Sequence, residues 1–359
     1  MALRHGVRRR IGAAIVAGMA VATATGTAGA DTDPPNTVEA VFPQARPASD
    51  GSRIVGVTPV DTRRFVVEVR SAAMDRTVRL QVIRPADTDT PAPTLYLLDG
   101  AEDGDTPHGV KTWESTTDLI PFTADKHVNV VTVIDGAYTY YTDWLRDDPI
   151  LGRNRWQTFL TEELPPVLDT AFGATGRNAI AGLSMSATSV LQLAESAPGL
   201  YRGVGSFSGC NDLDDQVCAA AVQAVLALGH GDPANMWGPV GGPEWTAHDP
   251  AAPENLEKLR GVDVVFAAGN GTPGKHDTAV AAGDPLRLGR ELILGGGPEE
   301  ALIAQSNHRV QQRMSDLRIP ATFTFTAAGT HSWPYWQDDL HAAWPRFAAA
   351  LDIPVSGSR

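Results

Sequence analysis

Asn178-Ala179-Ile180-Ala181-Gly182-Leu183-Ser184-Met185-Ser186-Ala187-Thr188-Ser189-Val190-Leu191 decides the fold. A short apolar strand leads into the sharp turn Gly182-Leu183-Ser184-Met185-Ser186, and a helix of small and apolar residues follows. In this strand–turn–helix setting a serine is held on a strained elbow with its hydroxyl presented above the end of a sheet. Gly182 suits the tight turn, and the small Ser186, where a second glycine is usual, still lets helix and strand approach closely. Ser184 is therefore the candidate nucleophile. The bland alternative is a serine that only caps the helix.

Outward from the elbow, the pattern is a hairpin followed by strands alternating with helices. Arg64–Arg70 and Thr77–Arg84 alternate like an antiparallel pair, and Pro93–Gly100 and Val128–Ile134 are apolar runs suited to strands buried on both faces. A polar loop carrying Glu102, Asp103 and Asp105 leads to a helix expected over Trp113–Asp125. Arg155–Phe172 has helical spacing, with Pro165 and Pro166 expected to kink it. Past the elbow, strands are expected over Gly203–Gly209, Val262–Ala268 and Ala321–Thr326, and helices over Leu286–Leu294, Pro298–Leu317 and Trp336–Leu351. Residues 210–260 read as a helical insertion. This order predicts an α/β-hydrolase fold: a mostly parallel central sheet with helices on both faces.

The chain starts with Arg4, Arg8, Arg9 and Arg10, an apolar run Ile11–Ala22 and the small-residue signature Ala28-Gly29-Ala30. That is the composition of a secretory signal peptide over residues 1–30. A transmembrane anchor fits less well, because Thr23, Thr25, Gly26 and Thr27 interrupt the run before it could span a bilayer. Residues 31–53, rich in Asp, Pro, Ser and Gly, are expected to form a poorly ordered leader, leaving 54–359 as a single catalytic domain. The signal carries four arginines and no acid, so its removal makes the formal net charge of -13 more negative still. So acidic a protein is a poor electrostatic partner for nucleic acid or anionic membrane. Cys210 and Cys218, eight positions apart in an exported chain, are expected to form a local disulfide.

A serine hydroxyl needs a general base, usually a histidine oriented by a carboxylate, and in this fold both come later in the chain. His331 alone follows the last strand, in the turn Gly329-Thr330-His331-Ser332-Trp333, and is the candidate base. His108, His127, His230, His248, His276, His308 and His341 read as surface or structural residues. Asp277, Asp284, Glu291, Glu299 and Glu300 all lie between the last two strands, and the pattern alone does not choose the acid among them. The oxyanion donors expected for this fold are the N–H groups of Met185, after the nucleophile, and Ala101, after the Asp99-Gly100 turn. No clustered ligand spacing suggests a metal and no glycine-rich loop suggests a phosphate site, so no cofactor is implied.

Six strings carry a more specific signal. Leu97-Leu98-Asp99-Gly100, Tyr141-Thr142-Asp143-Trp144, Trp156-Gln157-Thr158-Phe159-Leu160-Thr161, Gly182-Leu183-Ser184-Met185, Asn235-Met236-Trp237-Gly238-Pro239 and Gly329-Thr330-His331-Ser332-Trp333 occur in order. With the loop Gly269–Pro273 they make the chain resemble the antigen 85 mycolyltransferases, secreted acyltransferases of actinobacteria with mycolic-acid walls. The resemblance implies transfer of a mycolyl group from trehalose monomycolate to a second trehalose monomycolate or to cell-wall arabinogalactan. It also implies the acid: the family's glutamate lies six residues before a Ser-Asn pair, here Ser306-Asn307, which selects Glu300 with Glu299 as the fallback. By the same resemblance Asp99 contacts trehalose, Trp333 sits beside the base, and fibronectin is a conceivable partner. Two departures stand out: the family's sugar-binding arginine falls on Glu102, and of the Asn-Gly-Trp that follows only Trp113 remains. The rival readings are a secreted serine carboxylesterase with water as acceptor, and a non-catalytic surface or adhesion protein.

Overall fold

The computed structural model describes residues 37–102, 104–106, 109–278, 283 and 285–354. The strands, in chain order, are β1 (Arg53–Pro59), β2 (Arg64–Ser71), β3 (Arg76–Ile83), β4 (Thr94–Leu98), β5 (Gly104–Thr106), β6 (Gly109–Lys111), β7 (Asn129–Val133), β8 (Asn178–Leu183), β9 (Tyr201–Phe207), β10 (Asp263–Ala268) and β11 (Thr322–Phe325). Nine of them form one sheet in the order β1-β2-β3-β7-β4-β8-β9-β10-β11. β1, β2, β3 and β7 pair antiparallel, and from β7 to β11 every pairing is parallel. The elbow strand β8 lies in the middle of the parallel part, wholly buried.

Strand periodicity sorts the core onto two faces. Tyr96, Leu98, Val131, Ile180 and Val204 face one apolar layer, which includes Met185, Val190 and Leu191 of helix α1 (Met185–Ser196). Leu95, Leu97, Val130, Ala179, Ala181 and Val265 face the other, closed by Trp336, Leu340 and Phe347 of the last helix (Trp333–Ala350). Gly205 on β9 is required for that second contact, since a Cβ there would stand 2.7 Å from the Phe347 ring. Helices cover both faces, as the α/β-hydrolase fold demands.

Several sequence expectations are corrected. The leader assigned to 31–53 is anchored at two points within its described part: Phe42 is buried between Phe65 and Phe172, and Ser52 is fully covered. Residues 31–36, and the signal segment, lie outside the described residues. β1 was not anticipated. The acidic loop after β4 contains the small antiparallel pair β5–β6. The helix expected over Trp113–Asp125 is two short helices, Trp113–Thr116 and Leu119–Phe122. The kink expected at Pro165 and Pro166 is a wider π turn over Phe159–Glu163, placed where two consecutive prolines leave carbonyls without N–H partners.

The insertion after β9 contains α2 (Gln216–Leu228) and three short helices, Pro233–Met236, Pro243–Ala247 and Pro253–Leu256. Cys210 and Cys218 are disulfide-bonded, fastening the start of α2 to the end of β9. Asp215 caps α2, its carboxylate accepting from the N–H groups of Val217 and Cys218. After β10 come α3 (Pro285–Leu294) and α4 (Gly296–Asp316), and α5 (Trp333–Ala350) closes the chain. Among the described residues no helix is long and apolar enough to cross a membrane.

Candidate active site

The chain turns from β8 into α1 through one strained residue. Ser184 has φ 54° and ψ -121°, a conformation that costs a non-glycine residue about 1–3 kcal/mol and persists only where neighbours enforce it. The enforcement is visible. The Ser184 N–H donates to the Phe207 carbonyl at 2.9 Å, tying the elbow to β9. Gly182 lies so close to the next helical turn that a Cβ would meet the Ser186 carbonyl at 2.6 Å. Ser186 is fully buried: its hydroxyl accepts the Leu183 N–H at 2.9 Å and lies 3.0 Å from the Leu98 carbonyl on β4. A serine replaces the usual glycine here because its hydroxyl has partners. The Ser184 side chain makes no capping bond to α1, which removes the helix-cap reading of that residue.

His331 reaches the elbow from the loop after β11. Its Nε2 is 2.8 Å from Ser184 Oγ and its Nδ1 is 2.8 Å from Glu300 Oε2. This assigns the tautomer: Nδ1–H donates to the carboxylate and Nε2 is free to take the serine proton. Glu300, on the first turns of α4, is 1% exposed. Its second oxygen accepts from the Ser208 hydroxyl at 2.8 Å and the Gly269 N–H at 2.6 Å, and the Trp336 indole N–H donates to Ser208 in turn. Every lone pair that matters is engaged, so the carboxylate cannot swing away from the ring.

The other acids separate by position. Asp277 accepts from Thr330 Oγ1, the Tyr335 hydroxyl and the Gly274 N–H, and so clamps the loop carrying His331 without touching the imidazole. Glu299 lies at the opposite end of the ring, its Oε1 3.6 Å from Nε2. Asp284 and the Glu291 side chain are outside the described residues. Sequence reasoning missed Ser208, Gly269, Asp277 and Trp336 as supports. The one available signal was that Ser208 and Gly269 immediately follow strands β9 and β10, the sheet end where such sites form.

Two cavities meet at Ser184. The larger, about 600 Å³, is bordered by Ala101, Glu102, Lys111, His331 and Trp333, and on its apolar side by Leu228. The smaller, about 70 Å³, is bordered by Met185, Cys210, Val217, Val225 and Ile303. The residues expected to supply the oxyanion donors thus flank the serine, Ala101 in one cavity and Met185 in the other. The Ala101 carbonyl accepts the Tyr138 N–H at 3.2 Å, which ties the residue after the Asp99-Gly100 turn to the loop after β7. Met185 is also the first residue of α1, whose N-terminal dipole favours developing negative charge. Trp333 lines the larger cavity with His331 and stands edge-on to Trp113 and Trp336, while the ring packed edge-on against the imidazole is that of Trp336, at 4.9 Å. Asp99 is not brought to either cavity: it is 1% exposed and accepts the Trp113 N–H at 3.1 Å. Its place is beneath the loop, holding the short helix that carries Trp113. Among the described residues, no group of three or more His, Cys, Asp or Glu could hold a metal ion.

A central parallel sheet, an elbow at its carboxyl edge and a hydrogen-bonded Ser–His–Glu line define an α/β-hydrolase-fold protein of the esterase and acyltransferase type. Residues 71–347 match the Esterase family. The diacylglycerol acyltransferase/mycolyltransferase Ag85B of Mycobacterium leprae is 30% identical over 306 residues, covering 81% of this chain and 85% of that protein. Ag85B of Mycobacterium avium is 29% identical over 302 residues, covering 81% and 84%. The chain belongs to the antigen 85 mycolyltransferase family. Among solved structures, MPT51 (FbpC1) of Mycobacterium tuberculosis aligns with TM-score 0.63 and 23% identity, over 78% of this chain and 96% of that one. An S-formylglutathione hydrolase from Agrobacterium tumefaciens aligns with TM-score 0.57 and 15% identity, over 83% and 99%. Both of these likenesses speak for the fold alone.

Proposed function

We propose that the protein is an exported serine-dependent acyltransferase that moves a mycolyl group from trehalose monomycolate to a second trehalose monomycolate or to cell-wall arabinogalactan. The observation that carries the reading is the unbroken line Ser184–His331–Glu300, with 2.8 Å at each joint. His331 takes the Ser184 proton as Oγ attacks the ester carbonyl, and Glu300 stabilises the imidazolium that forms. The N–H groups of Met185 and Ala101 hold the oxyanion. The imidazolium then gives its proton to the leaving trehalose oxygen as the ester C–O bond breaks, trehalose departs, and an acyl-serine remains. An acceptor hydroxyl enters the larger cavity, gives its proton to Nε2, and takes the acyl group with return of the proton to Oγ.

The acyl chain would start in the 70 Å³ cavity and continue along the outer face of α2. There Val217 and Leu228 are exposed, in line with Ala221 and Val225 at helical spacing. A methylene laid on that open stripe stays partly in water and gains only a fraction of the roughly 0.8 kcal/mol of full burial, so many methylenes contribute together to hold a long chain. The signal segment, residues 1–30, supports export, and residues 54–359 together with the anchored segment from 37 make one catalytic domain. Trehalose and arabinogalactan come from the family, and the fibronectin partnership rests on the same likeness.

One observation favours a carboxylesterase instead: Glu102, where the family has its sugar-binding arginine, is exposed on the wall of the larger cavity. Incubating the protein with trehalose monomycolate and resolving the lipids by mass spectrometry decides between them. Dimycolate with little free mycolate is the expected product, and free mycolate alone would establish the esterase.

A further inference from the structure

The larger cavity is walled by a carboxylate that the Ser184–His331–Glu300 line does not use. Glu299 and Glu300 are neighbours on the first turns of α4, and side chains of consecutive helical residues point about 100° apart. Glu300 turns inward to Nδ1 of His331 and is 1% exposed. Glu299 turns toward the cavities, with its side chain 54% exposed and Oε1 3.6 Å from Nε2. The imidazole is therefore flanked by carboxylates at both ends. Among the described residues no side chain or backbone N–H donates a hydrogen bond to Glu299. It borders both cavities, so it stands where the acyl and alcohol halves of an ester must join. Its charge is felt locally: burial first, and the Glu299 carboxylate second, push the Tyr140 hydroxyl above its ordinary range.

Nε2 must deliver a proton to the leaving alcohol and take one from the incoming alcohol, so the reacting oxygen sits within a hydrogen bond of that nitrogen. A carboxylate 3.6 Å from the same nitrogen is within reach of a second hydroxyl on the carbon next to the reacting one. The remaining charges on this wall do not cancel it: Glu102 and Lys111 are exposed, His276 is paired with Asp338, and Asp277 is engaged by three donors. We infer that Glu299 recognises the alcohol half of the substrate, accepting a hydrogen bond from a neighbouring hydroxyl and disfavouring anionic alcohols, so that the site selects neutral polyols. This rests on the acyl-serine reading above and narrows it to a class of acceptor that Glu299 can read even without the family's arginine.

The test is acceptor partition on one acyl donor, p-nitrophenyl butyrate, with the full protein and its Glu299→Gln and Glu299→Asp variants. A burst of nitrophenol reports acylation of the protein, and mass spectrometry gives the ratio of butyrylated acceptor to free butyrate for glycerol and for glycerol 3-phosphate. The parent is expected to favour glycerol over glycerol 3-phosphate. Losing the charged acceptor in Glu299→Gln should lower that preference about tenfold, the range for a hydrogen bond to a charged group. Glu299→Asp should keep discrimination against the phosphate, since the charge remains. A burst accompanied by the same preference in parent and Glu299→Gln would overturn the role of Glu299 alone. Nitrophenol release and butyryl transfer that continue undiminished in Ser184→Ala would overturn both this role and the acyl-serine reading.

Discussion

Two walls of the same site are built on opposite rules. Behind Ser184, each group is fixed by hydrogen bonds within the protein: the elbow to Phe207, Glu300 to Ser208 and Gly269, and the His331 loop to Asp277. In front of it, Glu102, Lys111, Glu299, Leu228 and Leu302 face solvent or cavity. Fixed polar groups held away from water need no rearrangement as charge develops, which is where most catalytic stabilisation arises. Exposed groups are free to follow whatever alcohol and chain the protein meets. The difference teaches that reaction type and substrate choice lie on separate residues, so mutations should separate them.

The largest effects should come from the fixed wall. Ser184→Ala should lower kcat for any ester by about 10⁴-fold or more while circular dichroism and melting stay near the parent's, as for a nucleophile acting in concert with its base. Glu300→Gln should follow at about 10³–10⁴-fold, because the amide cannot hold the Nδ1–H tautomer; the fall should be in kcat with little change in KM. A fall of only a few-fold in either variant would erase the distinction between the walls.

A smaller, purely structural effect is expected at Asp148, which anchors the loop before Asn154 to Asp232 and Asn235. It is 4% exposed and accepts from the N–H groups of Ile150, Leu151 and Asp232 and from the Asn235 amide. Burial, the largest single influence, opposes ionisation, but the four donors together push its pKa down to about 2. A depressed carboxyl stabilises the fold above its unfolded value near 3.8 and loses that contribution as pH falls through the folded value. Asp148→Asn should thus cost about 2 kcal/mol at pH 7, and the gap in unfolding free energy from the parent should close between about pH 4 and pH 2. A pH-independent gap would contradict the assignment. The smallest effect belongs to the open wall: Glu102→Arg should lower the KM for a trehalose ester by about three- to tenfold, with kcat for p-nitrophenyl butyrate within about twofold of the parent's.

How much of this was legible before the structure depended on the range of the interaction. The elbow, the buried strands and the His331 turn are set by neighbours within a few residues, so Gly182, Ser184 and the Gly-Thr-His string could be read directly. The acid could not be chosen by pattern, because Asp277 on the loop after β10 and the neighbours Glu299 and Glu300 on α4 are sorted only by how that loop and helix pack around His331. Family likeness selected Glu300, and the packing places it at Nδ1. The leader was misread for the same reason. Its polar composition suggested disorder, while Phe42 finds partners in Phe65 and Phe172, the latter 130 positions away. Family likeness put Asp99 at the sugar, whereas the structure buries it against the Trp113 N–H, a contact between positions 14 apart that no local pattern reveals.

The central claim is tested most directly by intact-protein and peptide mass spectrometry after brief mixing with p-nitrophenyl butyrate and acid quench. The account predicts one butyryl increment on the peptide carrying Ser184, absent from Ser184→Ala and strongly reduced in Glu300→Gln. An increment that persists in Ser184→Ala, or turnover with no adduct at any mixing time and with Ser184→Ala fully active, would contradict it.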